Sequence, residues 1–587
     1  MARVVLRDEK AGGWLAFDSP RELLVARRLD DVLPLMREVE HAVSVRGMHA
    51  AGFVSYEASP AFDHHLRART AGDFPYAWFG VFEHPRVLPT LASAPLTDLP
   101  DAAWSPSISP DQYRAAFRAL REYIRNGDTY QVNFTYRLRA RMRRDPWAVF
   151  LALMSRHESP YAAFVDAGEW AIASASPELF FRIDGDLIES RPMKGTAARG
   201  LWAEDDTRKA AELRASEKER AENLMIVDMV RNDLGRVART GSVHVPDLFT
   251  VERYPTVWQM TSTVRAETRE PLDRIFQCLF PAASIVGAPR RRAMEIAAEL
   301  ETTPRRLYTG AIGFAAPGRR AQFNVAIRTV LLEPATGLAE YGVGGGIVWD
   351  SEHERERHEC EIKARILREP RPAFDLLETL LWSPGEGYAL LRYHLDRLAR
   401  SAEYFGFALS AAYVSAELER AASRLRSSPH RVRLLVDRGG RARCEARAIS
   451  VPPDAFADIA VAAEPIDRED VFLYHKTTHR VAYERALKRR PGFDDVLLYN
   501  DAGEITESTI ANVAVEIDGA LCTPPVRCGL LAGTYRAWML DEQRLQERVL
   551  RLEDVLASPA VYLMNSVRGM WKARVIAGEA LAAVVKG

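Results

Sequence analysis

Two pairs of glutamates stand three residues apart in charged segments: Glu219 and Glu222 in SEKERAENLMIVDMVRNDLGRV, and Glu356 and Glu359 in WDSEHERERHECEIKA. On a helix this spacing puts each pair on one face, where two carboxylates repel unless a cation lies between them. Four carboxylates without thiolates suit magnesium, which prefers oxygen ligands and keeps some of its waters. The run YGVGGG (341–346) offers backbone N–H groups to an anion. A metal beside an N–H cradle points to a carboxylate substrate. The plainer alternative is a solvated charged face, with Lys363 an ordinary i,i+4 partner of Glu359.

Lysine is scarce: only nine of the 79 basic residues are Lys, the rest being Arg. Drift explains any one of them. An amine that must lose its proton explains others, because guanidinium stays charged.

These groups need elements to hold them. In DQYRAAFRALREYIRN, Tyr113, Phe117, Leu120 and Ile124 recur at helical spacing after Asp111 as a cap, so an amphipathic helix is expected over 111–126. β-like segments follow through 161–190. A long charged helix is expected over roughly 207–233, another near 291–301, and strands around 309–315 and 323–332. Leu224, Met225, Ile226, Val227, Met229 and Val230 are too apolar for a surface helix, so Glu222 points into a partly buried place. The Pro/Ser-rich stretch ending near 110 reads as a connection, and the two prolines in LREPRPAF as a boundary. The units expected are 1–368 and 374–587, joined by a linker at 369–373.

With 587 residues, 47% of them hydrophobic, the chain is long enough for two to four domains. The net charge of -1 argues against a nucleic-acid or polybasic membrane surface. Five cysteines without a C-x-x-C pair exclude a thiolate zinc site and suit a reducing cytosol. MARVVLRDEKAGGW has no apolar signal region, and no apolar stretch long enough to span a bilayer occurs. A cytoplasmic protein is therefore expected, with neither a membrane nor nucleic acid as partner.

GDTYQVNFT (127–135), SPELFF (176–181), RPMKGTAARG (191–200), RAENLMIVDMVRNDLGRV (220–237), YTGAIGF (308–314), FNVAIRT (323–329) and GVGGGIVWDSEHERERHE (342–359) resemble, in this order, the chorismate-utilising enzymes. The resemblance implies an α+β fold, a sandwich of two large antiparallel sheets. Isochorismate- and salicylate-forming members carry a Lys base where this chain has Gln131, so hydration of chorismate is disfavoured. PMKGT resembles the aminodeoxychorismate synthase component I branch, whereas anthranilate synthases have Ala at the position of Lys194. In that branch the amine attacks carbon 2 of chorismate and the carbon-4 hydroxyl leaves, with Glu178 as its general acid. A Lys has an ordinary pKa of about 10.4, so a neutral amine needs burial or nearby positive charge. By the same resemblance Glu222 and Glu359 bind magnesium directly, with Glu219 and Glu356 acting mainly through its waters. Gln131 faces the substrate, while Thr196, Tyr308, Arg328, Lys363 and Gly344, Gly345 and Gly346 hold its carboxylates. Arg290 and Glu352-His353 depart from the family pattern, so those two segments receive no role. No cysteine here sits in a glutaminase nucleophile motif, so ammonia is expected from a separate glutamine amidotransferase subunit.

FDLLETLLW (374–382), RYHLDRLARSAEYFGF (392–407), YHKTTHRVAYERA (474–486), DDVLLYNDAGEITESTIANVAV (494–515), RCGLLAGTYR (527–536) and LMNSVRGM (563–570) together resemble the class IV pyridoxal-phosphate enzymes. This implies an α/β unit of two subdomains. Lys476 would carry pyridoxal 5'-phosphate, Glu507 would keep its ring nitrogen protonated, and Arg397 with Gly533 and Thr534 would hold its phosphate. Thr379 aligns with a hydroxyl implicated in the lyase of this group, and the class also allows a homodimer through this unit. The opening strands of the class are missing before Phe374, so a neighbouring edge or a trimmed subdomain is expected.

The two resemblances fit consecutive steps: amination of chorismate to 4-amino-4-deoxychorismate, then loss of pyruvate to give the folate precursor 4-aminobenzoate. The competitors are an anthranilate synthase component I fused to a class IV aminotransferase, a transaminase as second unit, and a non-catalytic scaffold.

Overall fold

The structure, a computed structural model, describes residues 2–8, 10–91, 103–156, 159–367, 372–425, 428–450 and 456–576. Most of the connection expected before residue 110, and most of the linker 369–373, lie outside them. The chain divides into two compact units, one of residues 1–198 and 210–371, the other of residues 199–209 and 372–587. Residues 199–209 thus belong with the second unit rather than with the 1–368 block expected from sequence.

In the first unit the described residues form two ten-stranded, all-antiparallel sheets. One runs Gly287–Ala288, Gln131–Arg141, Leu338–Ile347, Thr329–Glu333, Ala171–Ser174, Ala163–Asp166, Arg3–Asp8, Gly13–Asp18, Arg86–Leu88, with Ser105–Pro106 beside Gln131–Arg141. The other runs Met193–Ala198, Val257–Glu267, Leu187–Arg191, Leu179–Asp184, Arg320–Val325, Ala311–Ala316, His49–Val54, Ala77–Phe82, Glu22–Ala26, with His244–Arg253 beside Val257–Glu267. Strand alternation builds the core: Val4 and Leu6 join one apolar cluster with Phe53 and Phe314, whereas Val5 joins another with Phe79, Phe181 and Phe323. Truncating a wholly buried ring such as Phe181 to Ala would cost about 3–5 kcal/mol.

The helix expected at 111–126 is Pro110–Arg125, burying Tyr113, Ala116, Phe117 and Leu120. Its cap is Ser109, in a reciprocal box with Gln112, and Asp111 sits in the first turn. The long charged helix is two, Ala203–Ala215 and Glu217–Gly235. Ser216 turns extended between them and its hydroxyl accepts the Glu219 N–H. The strand expected at 323–332 likewise breaks, because Arg328 takes a left-handed φ of 50° between Arg320–Val325 and Thr329–Glu333.

The second unit holds a four-stranded antiparallel sheet, Gly387–Tyr388, Leu376–Ser383, His430–Val436, Ala442–Ala448, all from residues after 375. Among the described residues no strand before Leu376 joins this sheet. An eight-stranded mixed sheet around the strand Phe456–Val461 forms the other subdomain. Among the described residues no helix is long and apolar enough to cross a membrane.

Candidate functional site

Lys194 lies on the edge strand Met193–Ala198. Asn223, on the helix Glu217–Gly235, donates to the Lys194 carbonyl at 3.0 Å and accepts from Ser262 Oγ at 2.6 Å. This latch fixes the acidic helix against the lysine strand. Gly195 follows with φ 98°, where a Cβ would lie 3.2 Å from Glu219 Oε2. The positive φ favours glycine there, and a Cβ would also crowd Met260 and Glu219.

The strand Gln131–Arg141 pairs with Leu338–Ile347, bringing Thr135, Phe134 and Asn133 opposite Gly344, Gly345 and Gly346. Beyond Tyr341 the glycine strand has no partner on its other side among the described residues. Alternate N–H groups there point away from the ladder, which is what an anion cradle requires. A Cβ on Gly346 would lie 2.1 Å from Gln131 Nε2 and 2.9 Å from Lys194 Nζ, so these three residues converge on one spot. Gln131 is buried and its Oε1 has no protein partner.

Glu178 is buried, and burial pushes its carboxyl up to about 7 although Ser284 Oγ donates to it at 2.5 Å. Lys194 is near enough to act on it electrostatically. Ser284 comes from the segment that sequence reasoning left without a role. Arg290, in the same segment, pairs with buried Asp233, whose carboxyl burial pushes up to about 6.

The four glutamates behave unequally. Burial, then Glu222, raises Glu219; burial, then Glu359, raises Glu356 despite a hydrogen bond from Ser351. Burial would raise Glu359 too, but Lys363 at 2.6 Å holds it below the usual carboxylate range. Lys363 also donates to the Gly344 carbonyl at 2.9 Å. Glu359 and Lys363, expected at the metal and at the substrate, thus hold each other across one helical turn. Among the described residues, three ligand atoms within 4.8 Å occur only at Asp63, His64 and His65, so the four glutamates do not gather into a tight cage. Their all-oxygen chemistry and the raised Glu219 and Glu356 still fit a divalent cation, which relieves like-charge repulsion.

Tyr308 lays its ring against Gly342, where a Cβ would overlap it, and beneath the wholly buried guanidinium of Arg137 at 5.0 Å. Arg137, Glu301 and Arg305 form a buried ionic group behind that ring. Burial lowers Arg328, which neighbours Tyr341 and Tyr254. Thr196 is exposed and donates to Gln259 at 3.0 Å.

In the second unit Lys476 is held by backbone pairing: Leu377 N donates to its carbonyl at 2.9 Å and Leu376 bridges Thr477. Burial, then Arg397, pushes its amine down to about 8, with Glu378 opposing. Burial pushes Glu507 up to about 7, although its oxygens accept from Tyr483 Oη at 2.7 Å, Leu531 N at 3.0 Å and Asn512 Nδ2 at 3.1 Å. Arg397 grips Glu378 through Nε at 2.9 Å and Nη2 at 2.6 Å, and donates to the Ala532 carbonyl at 3.0 Å. His394 Nδ1 lies 2.6 Å from the same carboxylate and its Nε2 3.3 Å from Thr534 Oγ1. Burial would raise Glu378, but Arg397 and His394 hold it down at about 2. Gly533 precedes the helix Thr534–Asp541 at a point where a Cβ would lie 1.9 Å from Asn512 Oδ1. Arg397, Gly533 and Thr534 thus come together, and the basic group beside a helix N-terminus fits a phosphate. Thr379 lies on the strand Leu376–Ser383 and faces opposite to its neighbour Glu378. Sequence reasoning missed Ser284, Asn223, Glu378, His394 and Tyr483; only the H-x-x-R spacing of His394 and Arg397 offered a local signal.

Residues 85–369 match the chorismate binding enzyme family and residues 375–576 match amino-transferase class IV. The chain is 42% identical over 269 residues to aminodeoxychorismate synthase component 1 of Escherichia coli, an alignment covering 45% of this chain and 59% of that protein. It is 37% identical over 352 residues to aminodeoxychorismate synthase component 1 of Klebsiella aerogenes, covering 54% and 76%. Anthranilate synthase component I from Streptococcus pneumoniae has a similar structure, with a TM-score of 0.53 and 26% identity, covering 62% of this chain and 92% of that one. The chain is an enzyme of the chorismate-binding family, in which the chorismate-binding unit is followed by a class IV amino-transferase unit whose family implies pyridoxal phosphate.

Proposed function

We propose that the chain makes 4-aminobenzoate from chorismate in two steps. The observation that carries this reading is the convergence of Lys194, Gln131 and Gly346 beside the protonatable Glu178. In the first step the Lys194 amine forms a bond to carbon 2 of chorismate, both ring double bonds shift along the ring toward carbon 4, and the carbon-4 hydroxyl leaves as water with the Glu178 proton. Ammonia then adds at carbon 4 and releases Lys194 from carbon 2, so chorismate and ammonia give 4-amino-4-deoxychorismate and water. Gln131 cannot take a proton from water, which fits amination rather than hydration. Its unpartnered Oε1 is left to accept from the substrate. Arg328, Tyr308, Thr196 and the Gly344–Gly346 N–H groups hold the substrate carboxylates. Glu219, Glu222, Glu356 and Glu359 would hold magnesium, which supplies charge for a substrate carboxylate; Lys363 must then let go of Glu359.

The second unit is read as the lyase. Bound pyridoxal phosphate would supply an electron sink for the bond-breaking at carbon 4 of the intermediate. Lys476, with an amine near 8, is suited to bind the cofactor and then to carry the carbon-4 proton. Glu507, fixed by Tyr483 and Asn512, would hold the ring nitrogen in its protonated form, and Arg397 and the Gly533-Thr534 turn would hold the phosphate. Thr379, on the strand face opposite Glu378, is assigned by the family resemblance alone as the hydroxyl that serves this step. Loss of pyruvate leaves the aromatic amine.

Nitrogen would come from free ammonium or a separate glutamine amidotransferase subunit, so glutamine alone should not support the reaction. The test uses the full chain stripped of pyridoxal phosphate. Chorismate, ammonium and magnesium should give 4-amino-4-deoxychorismate, converted to 4-aminobenzoate on adding the cofactor. Formation of 2-aminobenzoate would overturn the reading.

A further inference from the structure

Residues 199–209 follow the Lys194 strand directly, yet they pack within the second unit. Their attachment there is built. Arg199 Nε and Nη2 donate to Asp206 at 2.8 and 2.6 Å, both residues being buried, and the Gly200 N–H donates to the same carboxylate at 2.8 Å. The Arg199 guanidinium lies 4.3 Å from the centre of the Tyr404 ring and donates to the Tyr404 carbonyl at 3.2 Å, a cation held over an aromatic face. Tyr404 Oη donates back to the Gly200 carbonyl at 2.7 Å. Trp202 stacks on Tyr474 with ring centres 5.3 Å apart.

These contacts end on the neighbours of Lys476. Tyr474 and His475 immediately precede it, and the His475 ring lies against Tyr404 at 4.5 Å and Phe405 at 4.8 Å, with Nδ1 3.0 Å from Ser401 Oγ. Leu201 and Trp202 also pack on the cluster that contains Leu473, Tyr474 and Tyr483, and the Tyr483 hydroxyl fixes Glu507. From the other side the Lys476 carbonyl is tied to Leu377 N.

We propose that residues 199–209 are a positioning strap for the second unit, in which Trp202 and the Arg199–Tyr404 contact fix the backbone that presents Lys476. Trp202 and Tyr404 are positioning residues, since neither touches the reacting groups. The assignment of Lys476 as the cofactor lysine underlies the consequence for binding, but the strap itself acts on the cofactor-free chain.

The test therefore has two readouts in the full-length protein. Amide hydrogen exchange without cofactor should become about tenfold faster over 473–477 in Trp202→Ala, because local opening there loses its cover. Trp202→Phe, which keeps a stacking ring, should restore protection. Tyr404→Phe keeps the ring on His475 and deletes the bond to Gly200, and should speed exchange by about threefold. Titration with pyridoxal phosphate, followed by the absorbance of the Lys476-bound cofactor, should show about tenfold weaker binding in Trp202→Ala, since apparent affinity falls with the fraction of competent loop. Unchanged exchange over 473–477 in Trp202→Ala would overturn the strap, as would faster exchange spread evenly over 372–576. A wild-type chain that gives no cofactor absorbance would overturn the role of Lys476 instead, leaving the strap to stand or fall on exchange.

Discussion

Glu57 in the first unit and Glu378 in the second are both buried, yet they sit at opposite ends of the carboxylate range, about 7 and about 2. Glu57 accepts the Arg305 N–H at 2.7 Å while its Oε2 has no partner, so burial wins. Glu378 is gripped by Arg397 through two hydrogen bonds and by His394, so the charged partners win over burial. The same contrast separates the two sites. In the first, burial and a neighbouring carboxylate raise Glu219 and Glu356, while Glu359 is held down by Lys363. In the second, Arg397 and His394 hold Glu378 down, so the positive charge outweighs burial.

The largest effects should fall on the lysines. Lys194→Ala should abolish amination of chorismate and leave conversion of supplied 4-amino-4-deoxychorismate intact, while Lys476→Ala should let that compound accumulate. Each loss should be about a thousandfold or more, read by chromatography of the products.

Next comes the ion pair. Glu378→Gln leaves Arg397 without its counter-charge and should destabilise the second unit by about 3–5 kcal/mol in denaturant unfolding. Glu57→Gln, by contrast, should change stability by less than about 1 kcal/mol, because no charged partner is orphaned. An equal loss in the two variants would break the contrast.

The pH dependence has opposite signs in the two places. The folded chain keeps a proton on Glu57, with its raised value of about 7, over a range where the unfolded chain has lost it. Stability from this group therefore declines as pH rises from the ordinary value of 4.5 toward about 7, and Glu57→Gln should flatten that slope. Glu378, with its depressed value, contributes stability above 4.5 that is lost as pH falls toward about 2.

The smallest effect sharpens the Glu178 assignment. The Ser284 hydroxyl lowers the Glu178 value against the upward push of burial. Ser284→Ala should slow amination by about tenfold and move its alkaline limb to higher pH, since a general acid works while protonated.

Local chemistry made much of this legible. The paired glutamates and the 344–346 glycines stand out by residue type and spacing, whereas Lys194 and Lys476 are picked out by the family motifs around them, and the two-sheet fold by the resemblance those motifs carry. What sequence hid is what tertiary packing decides. Ser284 meets Glu178 across 106 residues, and Asn223 latches Lys194 across 29. Ser216 breaks a helix whose charge pattern runs on through it, because its side chain caps better than it propagates. Lys363 shows the reverse: the plain i,i+4 pairing with Glu359 is the one the fold adopts. Nothing local to residues 199–209 marks them as belonging with the second unit.

We propose that one chain carries chorismate through to the aromatic amine at two lysine sites. It is tested most directly by incubating the full chain with chorismate, ammonium, magnesium and pyridoxal phosphate and measuring every product. 4-Aminobenzoate and pyruvate should form in equal amounts, matching the chorismate consumed. Appearance of 2-aminobenzoate, or amino transfer to 2-oxoglutarate without pyruvate release from 4-amino-4-deoxychorismate, would contradict it.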